Sequence, residues 1–170
     1  MTRSLFEDPD TDCEWDLCAA LGKDKCRDRL EEHWSTFYTY SDLKAIKDAG
    51  LNAIRIPIGY WAVDLEDYEP YVSGQYPYLI RGVKWAQELG LDVLIDIHGA
   101  PGSQNGYVGS GLVDIIQFQA NQTNTDRLFK VLRNLTEEFS QDHYGGAVTS
   151  ELTMPSSAPC QSNTNQILSL

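Results

Sequence analysis

Two side chains with chemistry to offer stand at matching places in two apolar runs. In LNAIRIPIG (51–59) Arg55 interrupts a row of aliphatic residues, and in LDVLIDIHG (91–99) His98 closes one. A guanidinium among buried aliphatics is costly unless a carboxylate or hydroxyl meets it. Asp96 is a partner of the right charge, so Arg55 reads either as half of an internal ion pair or as part of a ligand site. That an arginine and a histidine close successive runs favours a site. After His98 the chain breaks into GAPGSQNG (99–106), where small residues allow a sharp turn and Gln104 and Asn105 carry amides. Aromatic residues follow both runs: Tyr60 and Trp61 after the first, Tyr107 after the second. Amides beside ring faces suit a sugar, whose hydroxyls need fixed partners and whose C–H faces stack. Tyr60 and Trp61 can equally pack beneath the loop.

The elements that would hold these residues follow from pattern and punctuation. Residues 12–32 mix charged and apolar positions at helical spacing and predict one or two short helices. Thr39-Tyr-Ser-Asp42 reads as a helix entry and Gly50 as its terminator. The first run is then a strand that leaves its sheet at Pro57-Ile-Gly59. An acidic loop with tyrosines covers 64–74, a helix spans about Tyr78–Leu89, and the second run is a second strand. A further helix covers about Thr125–Phe139. Both strands are continuously apolar, which predicts cover on both faces and parallel pairing. The order helix, strand, helix, strand, helix gives an α/β fold. The end of the chain, AVTSELTMPSSAPCQSNTNQILSL (147–170), is rich in Ser, Thr, Asn and Pro. It predicts no further strand, only a disordered or linker-like tail.

At 170 residues the chain is shorter than the roughly 250 of a closed α/β barrel. Its net charge of −12 argues against nucleic-acid binding, which needs clustered Lys and Arg. No apolar run is long enough to span a bilayer, and the first residues lack the apolar core of a signal peptide. Two acceptor patterns for N-glycosylation occur, at Asn121 and Asn134. Cys13, Cys18, Cys26 and Cys160 fit no zinc template. They read as reduced thiols, with one disulfide among the first three as the alternative. Nothing calls for a metal or cofactor.

AIRIPIGYWAV (53–63) with VLIDIHGAPGSQNG (93–106) resembles the second and third strand–loop units of the fungal exo-β-1,3-glucanases of glycoside hydrolase family 5. The resemblance extends upstream through EEHWSTFYTYSDLKAIKDAGLN and downstream through SGLVD to Gly146. It implies a partial (β/α)8 TIM barrel over residues 1–146, followed by the non-matching tail at 147–170. It also implies a secreted or cell-wall enzyme that releases glucose from β-1,3-glucan with retention.

By the same resemblance, Arg55 takes the place of the arginine that holds the nucleophile carboxylate. His98 takes that of a histidine in the −1 sugar subsite, and Tyr107 that of an aromatic at an outer subsite. An Asp-Asn pair that binds sugar hydroxyls in the family is here Val108-Gly109. Retaining hydrolysis needs two carboxyls about 5 Å apart. The family's acid/base glutamate, in an Asn-Glu-Pro motif, and its nucleophile glutamate have no counterpart here, since Glu151 lacks both flanking residues. The expectation is therefore an inactive fragment of such a glucanase, or a non-catalytic remnant that retains sugar-binding loops. A catalytic pair within the chain, Asp96 with Glu66 or Asp67, ranks last.

Overall fold

The computed structural model describes residues 3–7, 9–141, 144 and 148–152. Two helices come first, α1 (Glu14–Leu21) and α2 (Lys23–Thr36). Cys26, Leu30 and Trp34 recur every four residues along α2, so one face is apolar; with Leu5, Leu17, Cys18 and Val72 they form a small core of their own. Cys18 and Cys26 are joined by a disulfide, which corrects the expectation of reduced thiols. The two cysteines point across the α1–α2 junction with their Cα atoms 5.0 Å apart, within bridging range. Cys13 stays free and buried, and burial pushes its thiol up to about 11, well away from the reactive thiolate form. Cys160 lies outside the described residues.

Helix α3 (Tyr40–Asp48) starts as its sequence predicts: the Thr39 backbone N–H donates to Asp42 Oδ2 at 2.7 Å. It leads into β1 (Ala53–Gly59), then α4 (Tyr76–Glu88), β2 (Asp92–Gly99) and α5 (Gln122–Phe139). β1 and β2 pair in parallel from Ala53–Asp92 to Ile58–Ile97, and an irregularity then sets Gly59 opposite Gly99. Pairing thus runs through Pro57 to the end of β1, rather than stopping at the proline.

A third strand, β3 (Val148–Leu152), lies parallel to β2, with Val93 opposite Val148 and Ile97 opposite Leu152. This corrects the expectation that the tail adds no strand. VTSEL carries no apolar alternation; its strand is set by pairing with a buried neighbour, a context that overrides weak local preference. The rest of the predicted tail, 153–170, lies outside the described residues.

The strand order is β1-β2-β3, each strand beside its predecessor in sequence. Such stepwise order belongs to a singly wound sheet of the barrel kind; a doubly wound sheet reverses direction.

The predicted cover on both faces is present on one. Ile54, Ile56 and Ile58 of β1, with Val93, Ile95 and Ile97 of β2, point into a layer built by Leu43 of α3, Leu79 and Val83 of α4, and Leu128 and Val131 of α5. The alternate residues, Arg55 and Pro57, are only half-buried, because side chains change face at each residue of a strand. The loop after β1, read from sequence as merely acidic, is fastened to α5 by buried charges. Arg127 Nε donates to Asp64 Oδ2 at 2.6 Å, and its Nη1 and Nη2 donate to the two Glu69 oxygens at 2.9 Å each. Burial opposes ionisation of Asp64, yet hydrogen bonds from Lys130 and Arg127 outweigh it and hold the carboxyl below its usual range.

Candidate functional site

The half-open face of the sheet gathers the predicted residues. Arg55, Asp96 and His98 fall on the same face of adjacent strands, in register such that Arg55 lies opposite Leu94 and reaches toward Asp96. Arg55 Nη2 donates to Asp96 Oδ2, which is also 2.8 Å from His98 Nδ1. Asp96 is fully buried, while the His98 side chain is 42% exposed. Asp96 is acceptor-only when ionised, so its contact places the histidine proton on Nδ1. Arg55 Nη2, 3.2 Å from that nitrogen, is then a close neighbour and not a second bond to it. The other ring nitrogen, Nε2, lies on the side of Gly109. The ion pair that the sequence allowed is present, and its Asp96 also orients His98.

A cavity of about 980 Å³ opens beside this cluster and runs along β1 from Arg55 to Gly59. Val108 and Gly109 also line it, and a side chain at Gly109 would begin 3.0 Å from His98 Nε2. The absence of a Cβ there keeps the imidazole open.

The other predicted residues divide. Gln104 is adjacent to the site, but its amide is spent on its own loop: Nε2 donates to the His98 carbonyl at 2.6 Å, and Oε1 accepts from the Ala100 N–H at 2.9 Å. Asn105 Oδ1 accepts from the Tyr107 N–H at 2.9 Å, shaping the loop tip where the Tyr107 side chain stands 71% exposed. Tyr60 is buried on the side of α5, its hydroxyl donating to Glu69 and its ring under the Arg127 guanidinium, 5.0 Å away. Glu66 and Asp67 are exposed in the loop after β1, whereas Asp96 is buried within the cluster.

Trp61 closes the strand ends. Its indole stacks on Tyr71 with ring centroids 4.1 Å apart and lies so close to Gly59 and Gly99 that a Cβ on either would collide. Its Nε1 donates to Glu14 Oε1 at 2.8 Å. Sequence reasoning passed over Glu14, which reads as one more acid in a polar helix; only the fold brings it to Trp61.

A family model described as cellulase (glycosyl hydrolase family 5) matches residues 20–147. The chain belongs to glycosyl hydrolase family 5. Among family members, a glucan 1,3-beta-glucosidase of Kluyveromyces lactis is 48% identical over 136 residues, covering 79% of this chain and 32% of that protein. A probable glucan 1,3-beta-glucosidase A of Aspergillus niger is 56% identical over 110 residues, 65% of this chain and 26% of the relative. The chain thus spans about a third or less of the length of these relatives. The crystal structure of a rutinosidase from Aspergillus niger superimposes with a TM-score of 0.79 at 25% identity, over 84% of this chain and 40% of the other. Family and superposition agree with the strand order: the fold is part of the family 5 barrel.

Proposed function

We propose that this chain forms the sugar-contacting part of a glycoside hydrolase acting on β-1,3-glucan, and that by itself it binds the glucan without cleaving it. The observation that carries this reading is the Arg55–Asp96–His98 cluster on the open face of the sheet, with the His98 imidazole lining a large cavity. An imidazole Nε2 accepts from a sugar hydroxyl, and the Arg55 guanidinium donates to one. The names of the fungal relatives supply the substrate class.

Hydrolysis with retention needs a free nucleophile and an acid about 5 Å apart. Asp96 is unsuited to the first role, since its Oδ2 already serves both Arg55 and His98. In this reading the chain acts outside the cell or in the cell wall. Asn121 is then the glycan acceptor, being exposed at the start of α5 with its Oδ1 held by the Thr123 N–H at 3.0 Å, while Asn134 is half-buried within that helix.

The test is calorimetric titration of the purified chain with laminarin oligosaccharides, alongside glucose release from laminarin. Binding that His98→Ala abolishes, with no glucose above background, is expected. Absence of binding, or cleavage by the pure chain, overturns the proposal.

A further inference from the structure

β1 stands first in the strand order, and β2 is its only strand neighbour among the described residues. The other edge of β1 opens on the cavity, which every residue from Arg55 to Gly59 lines. The cavity also reaches both sides of the sheet: Leu79 belongs to the layer packed on the isoleucine face, while His98 stands on the open face. A space that touches both faces at one strand lies beside that strand. It runs alongside β1 for about 17 Å, at roughly 3.3 Å per residue.

An open strand edge is a row of backbone donors and acceptors that another strand can pair with, and a closed barrel leaves none. Family 5 membership therefore gives this edge a natural occupant, a further parallel strand. The walls of the cavity define its side chains. Trp34, Phe37, Tyr78 and Leu79 stand on the helix side, and Arg55 and His98 on the open side. A strand between them shows alternate residues to each wall, apolar ones to the rings and polar ones to the guanidinium and imidazole. Glu7, Asp10 and Asp12 also line the cavity, shortly before Glu14, which is tied to Trp61 just beyond β1. They favour basic residues at the end of a strand that runs parallel to β1. A second copy of the chain is a poor fit, since each carries a net charge of −12.

We propose that the cavity beside β1 is a docking slot for an extended, parallel strand of a separate polypeptide, alternately apolar and polar and basic at its C-terminal end. The strand continues the sheet beyond β1 as β3 continues it beyond β2. Affinity comes from the backbone ladder and selectivity from the alternating side chains. This use of the cavity does not depend on the glucan reading.

The probe is a fluorescein-labelled peptide of alternating valine and serine, long enough to span β1, with two lysines at its C-terminal end. Its binding to the full chain is followed by fluorescence anisotropy, and amide hydrogen exchange in β1 is measured with and without it. Saturable binding is expected, with slower exchange of the β1 amides that β2 does not engage. Moving the lysines to the N-terminal end should weaken binding. Phe37→Lys, which sets a charge on the apolar wall, should weaken it about 10-fold. Tyr78→Ala supplies the same comparison if Phe37→Lys fails to unfold cooperatively. Ile116→Lys, an exposed position outside the cavity, should bind like the wild type.

No saturable binding overturns the proposal, as does binding that leaves β1 exchange unchanged or equal binding of the two peptides. Slow exchange throughout β1 in the peptide-free chain also overturns it: a dimer in sedimentation then marks a second copy in the slot, and a monomer marks a segment of the same chain. No sugar enters the experiment, so each of these failures leaves the glucan reading standing.

Discussion

Glu14 and Trp61, 47 residues apart in sequence, meet in a buried hydrogen bond of 2.8 Å. This bond ties the helical segment before the sheet to the turn that leaves β1. Trp15 adds to the same joint by packing edge-on against Tyr71, which is itself stacked on Trp61. The ends of the strands are therefore capped from two directions, and what happens at Glu14 reaches the residues that border the cavity.

The Glu14 carboxyl makes stability depend on pH with a defined sign. Its ordinary value is 4.5 and burial raises it to about 8 in the folded chain. Between those values the folded state holds the proton more tightly than the unfolded state, so stability falls as pH rises, by at most about 1.4 kcal/mol per pH unit, and levels off above the folded value. Urea unfolding at pH 5 and pH 8 should show a loss in the wild type that is much reduced in Glu14→Gln. An undiminished loss in the variant would locate the effect elsewhere.

Much of the arrangement was legible in the residues. The positions of Arg55 and His98 in two apolar runs implied parallel strands and a shared end, because those runs are long, aliphatic and bounded by clear turns. Glu14 was illegible, since its partner lies 47 residues away and nothing local marks an acid in a polar helix as buried. β3 was missed for a similar reason: its middle residues are polar and its conformation comes from a ladder with β2. Gln104 illustrates a third limit. An amide in a glycine-rich loop looks free to meet a ligand, and only coordinates reveal both ends bonded to the loop itself.

Gly99→Ala tests the close approach of Trp61. A Cβ at this position would sit 2.6 Å from the indole, so the ring or the strand must shift. Overpacking of this kind costs about 1–3 kcal/mol. Combining the change with Trp61→Leu should cost less than the sum of the single variants, because the smaller side chain vacates the contact. Strict additivity in thermal unfolding would argue against the collision.

Breaking the cluster at Asp96 should be among the most damaging single changes. Asp96→Ala leaves Arg55 without its buried counter-charge and is expected to lower stability by about 3–5 kcal/mol. Arg55→Met combined with Asp96→Leu should recover part of that loss, since the pair is replaced by apolar volume. Denaturant midpoints for the three proteins give the comparison, and a double variant no better than Asp96→Ala would contradict it.

Reduction of Cys18–Cys26 should be felt moderately. The bridge spans eight positions of sequence. A loop of that size restrains the unfolded chain by about 2–3 kcal/mol on the chain-entropy model. The melting temperature should drop on treatment with a thiol reductant and in the Cys18→Ser/Cys26→Ser variant, and the reductant should do nothing further to that variant.

The way Gln104 fastens the turn after β2 also bears on engineering. Because one side chain holds both the His98 carbonyl and the Ala100 N–H, part of the turn's geometry travels with the segment instead of being imposed by distant packing. Residues 98–104 form a portable cassette: moved to the end of another parallel strand, they should carry the turn with them, while the imidazole would need a carboxylate two positions earlier, as Asp96 is here, and a designer could borrow the turn without borrowing the protein.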